Sequence, residues 1–204
     1  MTRKLTEKRI CLASHNSGKL REIAALLTPL GIEVISAGEL GLSEPPETEH
    51  TFAGNARIKA HAAAQGSGLP ALSDDSGIAV DALNGRPGVY TADWAETPNG
   101  RDFPMAMEKV WRLLEDAAAA HPRTARFICT LCLAWPDHHD EVFEGRVEGS
   151  ITWPMRGSRG FGFDPIFVPN GYDQTFGEME PAQKHGMSHR ADAFAKFTAA
   201  CLAD

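Results

Sequence analysis

The chain has no apolar run long enough to span a bilayer. Its opening "MTRKLTEKRI" is polar and charged, without an apolar segment of signal-peptide type, so the cytoplasm is the expected location. Positive charge is not in excess either. A formal net charge of −7 argues against nonspecific binding to nucleic-acid backbones, which requires a basic surface. A local cluster of basic side chains can still hold a small polyanion. Cysteine is sparse, at Cys11, Cys129, Cys132 and Cys201. Two of these form "CTLC", a spacing that can signal metal or redox chemistry. The flanking "RFICTLCLAW" reads as a strand, however, and residues three apart on a strand face opposite sides of a sheet. Buried thiols in a core strand are the expectation. Internal repeats, low-complexity tracts and clear linkers are also missing.

A chain of 204 residues, 43% of them hydrophobic, can bury a real core as one domain over 1–204 or as two small lobes without a separable second domain. Strand and helix signals alternate along it. "KRICLA" (8–13) reads as a strand. Leu20, Ile23, Leu27 and Leu30 follow a helical stripe closed by Gly31, and "IEVISA" (32–37) is a second strand. After a polar loop at 38–50, helices are expected over roughly 51–65 and 103–120. On the latter, Met107, Val110, Trp111 and Leu114 share a face. "PALSDDSGIAVDAL" reads as two short strands joined through an acidic turn. A hairpin is expected around Pro136–Asp140, and a last helix starts near Ser188 with Phe194, Phe197 and Cys201 inward. The fold class is therefore α/β, with a mixed twisted sheet flanked by helices. The segment 91–102 is the candidate hinge between two lobes.

Five stretches carry the chemistry-bearing residues. "SHNSGK" (14–19) sits between a strand and a helix, where open helix N–H groups and the dipole favour an anion. Ser14, Asn16 and Lys19 add donors, yet the stretch lacks the earlier glycine and following hydroxyl of a phosphate loop. A capped turn with a solvated lysine is the plainer alternative. In "FAGNARIKA" (52–60), Asn55 and Lys59 are four apart and share a helix face. "LSDDSG" (72–77) holds two adjacent carboxylates, which read as a turn or as a magnesium site. In the second case one Asp faces the ion and the other braces the turn, with Glu47 or Glu49 completing the coordination. "GFGFD" (160–164) sets glycines between phenylalanines, so that backbone approaches a flat ligand and an aromatic face stacks on it. In "KHGMSHRADAF" (184–194), Ser188 as N-cap puts His189 and Arg190 in a first turn, where cations are disfavoured unless an electron-rich group is near. His138 and His139 read as a solvated turn.

Taken in order, "SHNSGK", "FAGNARIKA", "LSDDSGIAVDALNGRPGVY", "GFGFDPIF" and "KHGMSHR" resemble the inosine triphosphate pyrophosphatase family, from residue 10 to the final helix. The resemblance implies a magnesium-dependent hydrolase with one or more ions per subunit. It would split ITP, dITP and XTP at the α-phosphorus into nucleoside monophosphate and pyrophosphate, in a cleft between two lobes. By this similarity the phosphate-binding stretch falls on Ser14, His15, Asn16, Ser17, Gly18 and Lys19, joined by Asn55 and Lys59. The catalytic, metal-binding carboxylate falls on Asp75, with Glu47 as second metal ligand and Ser76 touching substrate. Base-binding positions fall on Phe161, Gly162, Phe163 and Asp164, and the C-terminal cations on Lys184, His189 and Arg190. His15 stands where Gly is usual, Phe163 where Tyr or Trp is frequent, and His185 where Asn is common. The family implies a homodimer acting on a small-molecule nucleotide, while charge and composition predict neither a nucleic-acid nor a membrane partner. Alternatives are a noncatalytic nucleotide sensor on the same scaffold and a pyrophosphatase preferring other modified nucleotides.

Overall fold

β1 (Arg9–Ala13) explains the first half of the fold, because its side chains alternate between two apolar layers. Ile10 and Leu12 join a bulky layer with Ile23 and Leu27 of α1 (Ser17–Leu27), while Cys11 and Ala13 join an alanine-rich layer. Ala56, Ala60, Ala63 and Ala64 of α2 (Phe52–Ser67) form the other side of that second layer. Small side chains on both surfaces let α2 lie close to the strands, and the Ser73 hydroxyl donates to the Ala56 carbonyl at 2.7 Å. β1 pairs in parallel with β2 (Glu33–Ser36) and with β3 (Ala71–Val80), as helical crossovers require.

The computed structural model describes residues 2–202, the side chain of Ser17 excepted. After β3 come β4 (Glu96–Thr97), β5 (Gly100–Arg101), α3 (Phe103–Asp116), β6 (Thr124–Ala134), β7 (Asp140–Ile151), β8 (Phe167–Pro169), α4 (Pro181–His185) and α5 (His189–Phe197). The main sheet runs β2-β1-β3-β6-β7-β8, with β4 and β5 a separate antiparallel hairpin. β8 runs antiparallel to β7, so the sheet is mixed, as the interleaved pattern implies.

Two compact units divide the chain. The first holds residues up to Asp75, Cys129–Gly145 and the chain from Asp192 onward. The second holds Ser76–Ile128 and Arg146–Ala191. The second has its own core, where Met107, Val110 and Leu114 of α3 pack with Ile78, Val80, Phe127, Phe163 and Phe167. The hinge expected at 91–102 is corrected: that segment lies wholly inside the second unit and contains the β4–β5 hairpin. Its polar composition reflects a tight surface hairpin rather than a connection.

α3 stops at Asp116, earlier than its apolar pattern suggests. The Ala118 N–H bonds the Glu115 carbonyl and the Ala119 N–H the Leu114 carbonyl, while Ala118 takes φ +47°. A left-handed alanine costs about 1 kcal/mol that glycine does not incur. Ala118→Gly should therefore stabilise the protein by roughly 1 kcal/mol, read as a raised urea midpoint at unchanged slope.

Candidate functional site

In the first unit the turn after β1 is a capped helix start. Asn16 lies outside helical geometry, and its side-chain oxygen accepts from the N–H groups of Gly18 (2.9 Å) and Lys19 (3.1 Å). The Asn16 N–H in turn donates to the Ser14 hydroxyl at 3.2 Å. These first-turn donors were expected to stand open to an anion; the cap already holds them, and Asn16 acts as an acceptor here. His15 is exposed, and Ser17 opens α1 with its side chain outside the described residues. The cation of the turn is not a solvated lysine. Lys19 Nζ lies 2.6 Å from Asp74 Oδ1 and also reaches the Asp74 carbonyl at 3.4 Å.

β3 runs unbroken from Ala71 to Val80, which corrects the two short strands and acidic turn expected around 72–77. Alternation along the strand then separates the two carboxylates. Asp74 shares a face with Leu72 and meets Lys19 of α1. Asp75 shares a face with Ala71 and Ser73 and meets Lys59 of α2 at 2.8 Å. Asp74 therefore braces no turn. The charges that would break an apolar strand are each matched by a lysine from a different helix.

Lys59, buried, also bonds Glu47 at 2.6 Å, so one ammonium joins two carboxylates. Burial lowers the Lys59 pKa, but Asp75 and Glu47 together outweigh it and hold the group above its ordinary value. Burial raises the Asp75 pKa, with Lys59 and Lys19 opposing. Asn55 does not face outward: buried, its side-chain oxygen accepts from the Glu49 N–H at 2.9 Å and pins the acidic loop to α2. Gly54 permits this approach, since a Cβ there would lie 2.5 Å from the Glu49 Cβ.

The residues expected to hold magnesium suit it. Asp75 Oδ2 is buried without a hydrogen-bond partner, and Glu47 is brought to the same lysine. Two carboxylates against one ammonium leave a negative surplus, and magnesium takes only one or two protein carboxylates. Among the described residues no three His, Cys, Asp or Glu side chains gather as a larger metal cluster. A pocket of about 260 Å³, counting space open to solvent, is lined by Ser14, His15, Glu44 and Lys59 among others.

In the second unit, Gly160 and Gly162 take φ +75° and +65°. Gly160 lets Asp164 close beneath the loop, where its Oδ2 accepts from the Phe161 N–H (2.8 Å) and from Lys184 Nζ (2.6 Å). Phe161 stays 38% exposed, with Lys184 at 4.9 Å and Arg190 at 5.9 Å from its ring. Phe163 is a core residue edge-on to Phe103, so only its backbone is placed to meet a ligand. Lys184 is buried in its pair with Asp164 rather than standing as a free cation.

The Ser188 hydroxyl accepts from the Ala191 N–H at 3.2 Å, as an N-cap should. His189 and Arg190 follow it, both buried. The disfavoured position is offset by aromatic and hydroxyl neighbours: His189 stacks on Phe127 at 5.0 Å, and Arg190 Nη2 donates to the Ser76 hydroxyl at 3.3 Å. Sequence reading missed Asp74 as the partner of Lys19, and Cys129, whose thiol donates to Asp74 Oδ2 at 3.1 Å. No local pattern in the sequence contains either pairing, since each joins residues far apart along the chain.

In this α/β protein the first unit thus matches lysines of two helices to adjacent carboxylates, and the second carries an exposed aromatic ring flanked by cations. The model of the Ham1 family matches residues 10–200, and the chain belongs to that family. It is 61% identical to the dITP/XTP pyrophosphatase of Ruegeria pomeroyi, over 99% of each chain. The dITP/XTP pyrophosphatase of Agrobacterium fabrum is 58% identical, over 98% of this chain and 99% of its own. Among solved structures, a HAM1 protein from Coxiella burnetii superposes with a TM-score of 0.87 at 37% identity, covering 95% of this chain and 98% of that one. A nucleoside-triphosphatase / dITP/XTP pyrophosphatase from Mycobacterium abscessus gives 0.75 at 38% identity, covering 93% and 98%.

Proposed function

We infer that this chain is a pyrophosphatase that hydrolyses noncanonical purine nucleoside triphosphates, ITP, dITP and XTP, to the monophosphate and pyrophosphate. Its likeness in sequence to proteins of that name supports the reading. The structural observation that carries it is the Lys59 ammonium bonded to both Glu47 and Asp75, with the second Asp75 oxygen buried and unpartnered.

Lys59 and Lys19 neutralise the polyphosphate, with the Ser14 hydroxyl and the Asn16 side-chain NH2 as further donors. Asp75 orients the attacking water and takes its proton as the α-phosphorus is attacked. Asp75 and Glu47 would hold magnesium, which would supply charge neutralisation to the phosphates when bound. In the second unit, Phe161 offers its exposed face to the base. Inosine and xanthine carry a 6-oxo acceptor where adenine carries an amino donor. Donors from Arg190 and His189 pair with the oxo group and are left unpaired by adenine, which a hydrogen-bonding site rejects strongly. The chain acts as one catalytic domain. We also propose a cytoplasmic homodimer, for which light scattering at micromolar concentration is the direct measurement.

A pyrophosphate-release panel of ITP, XTP, dITP, GTP, ATP, dUTP and dTTP, with and without magnesium, tests this reading. ITP, dITP and XTP should exceed ATP in kcat/KM by at least about 100-fold, and only with magnesium. Tight binding without turnover would instead identify a sensor. A peak on dUTP or dTTP would identify a pyrophosphatase for other modified nucleotides.

A further inference from the structure

We propose that Cys129 is a positioning residue for this reaction: its thiol holds Asp74, and through Asp74 it fixes the Lys19 ammonium. The inference rests on the pyrophosphatase reading above and extends it to a residue that touches no substrate. Cys129 lies on β6, the strand beside β3 in the sheet. Its Sγ donates to Asp74 Oδ2 at 3.1 Å, while Asp74 Oδ1 lies 2.6 Å from Lys19 Nζ. One oxygen of the carboxylate thus meets the thiol and the other the ammonium. Both Asp74 and Cys129 are buried, so water does not supply these contacts. A buried cysteine ordinarily serves as a small core hydrophobe. Here its sulfur meets a carboxylate oxygen at hydrogen-bond distance, where a methyl group would face an acceptor it cannot satisfy. With Asp74 locked, the Lys19 ammonium is ordered before the triphosphate arrives, and less side-chain freedom is lost on binding.

A double-mutant cycle tests this. Cys129→Val removes the donor and keeps a small apolar side chain, slightly larger than the thiol; Cys129→Ser keeps a donor; Lys19→Met removes the group that is positioned. Cys129→Val should raise KM for dITP about tenfold, with kcat within about twofold, as expected for losing one hydrogen bond to a charged group. Cys129→Ser should restore KM to within about twofold of the parent, and the dITP-to-GTP preference should not move in either variant. In the Lys19→Met background, Cys129→Val should add no further loss. Thermal unfolding of each variant separates folding defects from binding defects, and Cys129→Ala serves if the valine variant does not fold. A full tenfold loss in the Lys19→Met background would overturn the inference, as would a serine variant as impaired as the valine. A parent enzyme that releases no pyrophosphate from dITP would instead overturn the pyrophosphatase reading, and this inference with it.

Discussion

Asp75→Asn is expected to reduce pyrophosphate release from dITP by about 10³-fold or more while leaving the protein folded. The amide keeps the shape of the carboxylate and can still accept from Lys59, which lies 2.8 Å from Oδ1. Lys59 also keeps Glu47 at 2.6 Å, so it is not stranded as an unpaired buried charge. Burial already disfavours the ionised form of Asp75, so removing the charge relieves a desolvation cost even as it weakens the pair. These effects oppose one another, and the unfolding midpoint should move by only a few degrees. Chemistry has no such compensation. An amide takes no proton from water, and loss of a general base alone costs about 10²–10⁴-fold. The partnerless oxygen would also become part of a neutral amide, weakening magnesium retention. Isothermal titration with magnesium in the absence of nucleotide reads that weakening separately from turnover. Near-parental pyrophosphate release by this variant would remove Asp75 from the catalytic role.

The contrast between the two adjacent carboxylates also shows where sequence patterns carry and where they stop. Apolar runs and periodicity located β1, α1, β2 and α5 because each presents apolar side chains to a core. They failed at β3, where four successive polar residues, Ser73 to Ser76, look like a turn. In the folded chain Asp74 and Asp75 are matched by Lys19 and Lys59, more than a dozen residues away in sequence, and no local pattern contains that pairing. The same reason hid the α1 cap. Ser14, Asn16 and Lys19 were legible as a set, but which atoms they use depends on Asn16 turning back on its own helix. The aromatic loop was half legible. Phe161 and Phe163 are alike in sequence, and left-handed backbone at Gly160 and Gly162 sends one toward solvent and the other into the core. Cys129 is buried in a core strand as expected, but a thiol pattern says nothing of the carboxylate on the neighbouring strand.

Breaking the Asp164–Lys184 pair should have the largest effect on stability of any single polar change in the second unit. Both side chains are almost fully buried, and their charged atoms are 2.6 Å apart. Removing one partner strands the other as a buried charge, which typically costs about 3–5 kcal/mol. Asp164→Leu should therefore lower the unfolding free energy by that amount in urea titration. A second substitution tests whether the stranded lysine is the cause. Asp164→Leu with Lys184→Met replaces the pair by apolar side chains of similar size, and such exchanges are often neutral. Most of the lost stability should return, less about 1 kcal/mol for the Phe161 N–H, which loses its acceptor Asp164 Oδ2. Function should not return with it. Phe161 would no longer be tied to the loop, and the cation 4.9 Å from its ring would be gone. The double variant is expected to fold nearly as well as the parent yet lose about tenfold in kcat/KM for dITP, through weaker hold on the base. Equal instability of the single and double variants would locate the cost in packing rather than in the stranded charge. Full activity in a stable double variant would make the pair a purely structural device, and base recognition would then rest on His189 and Arg190.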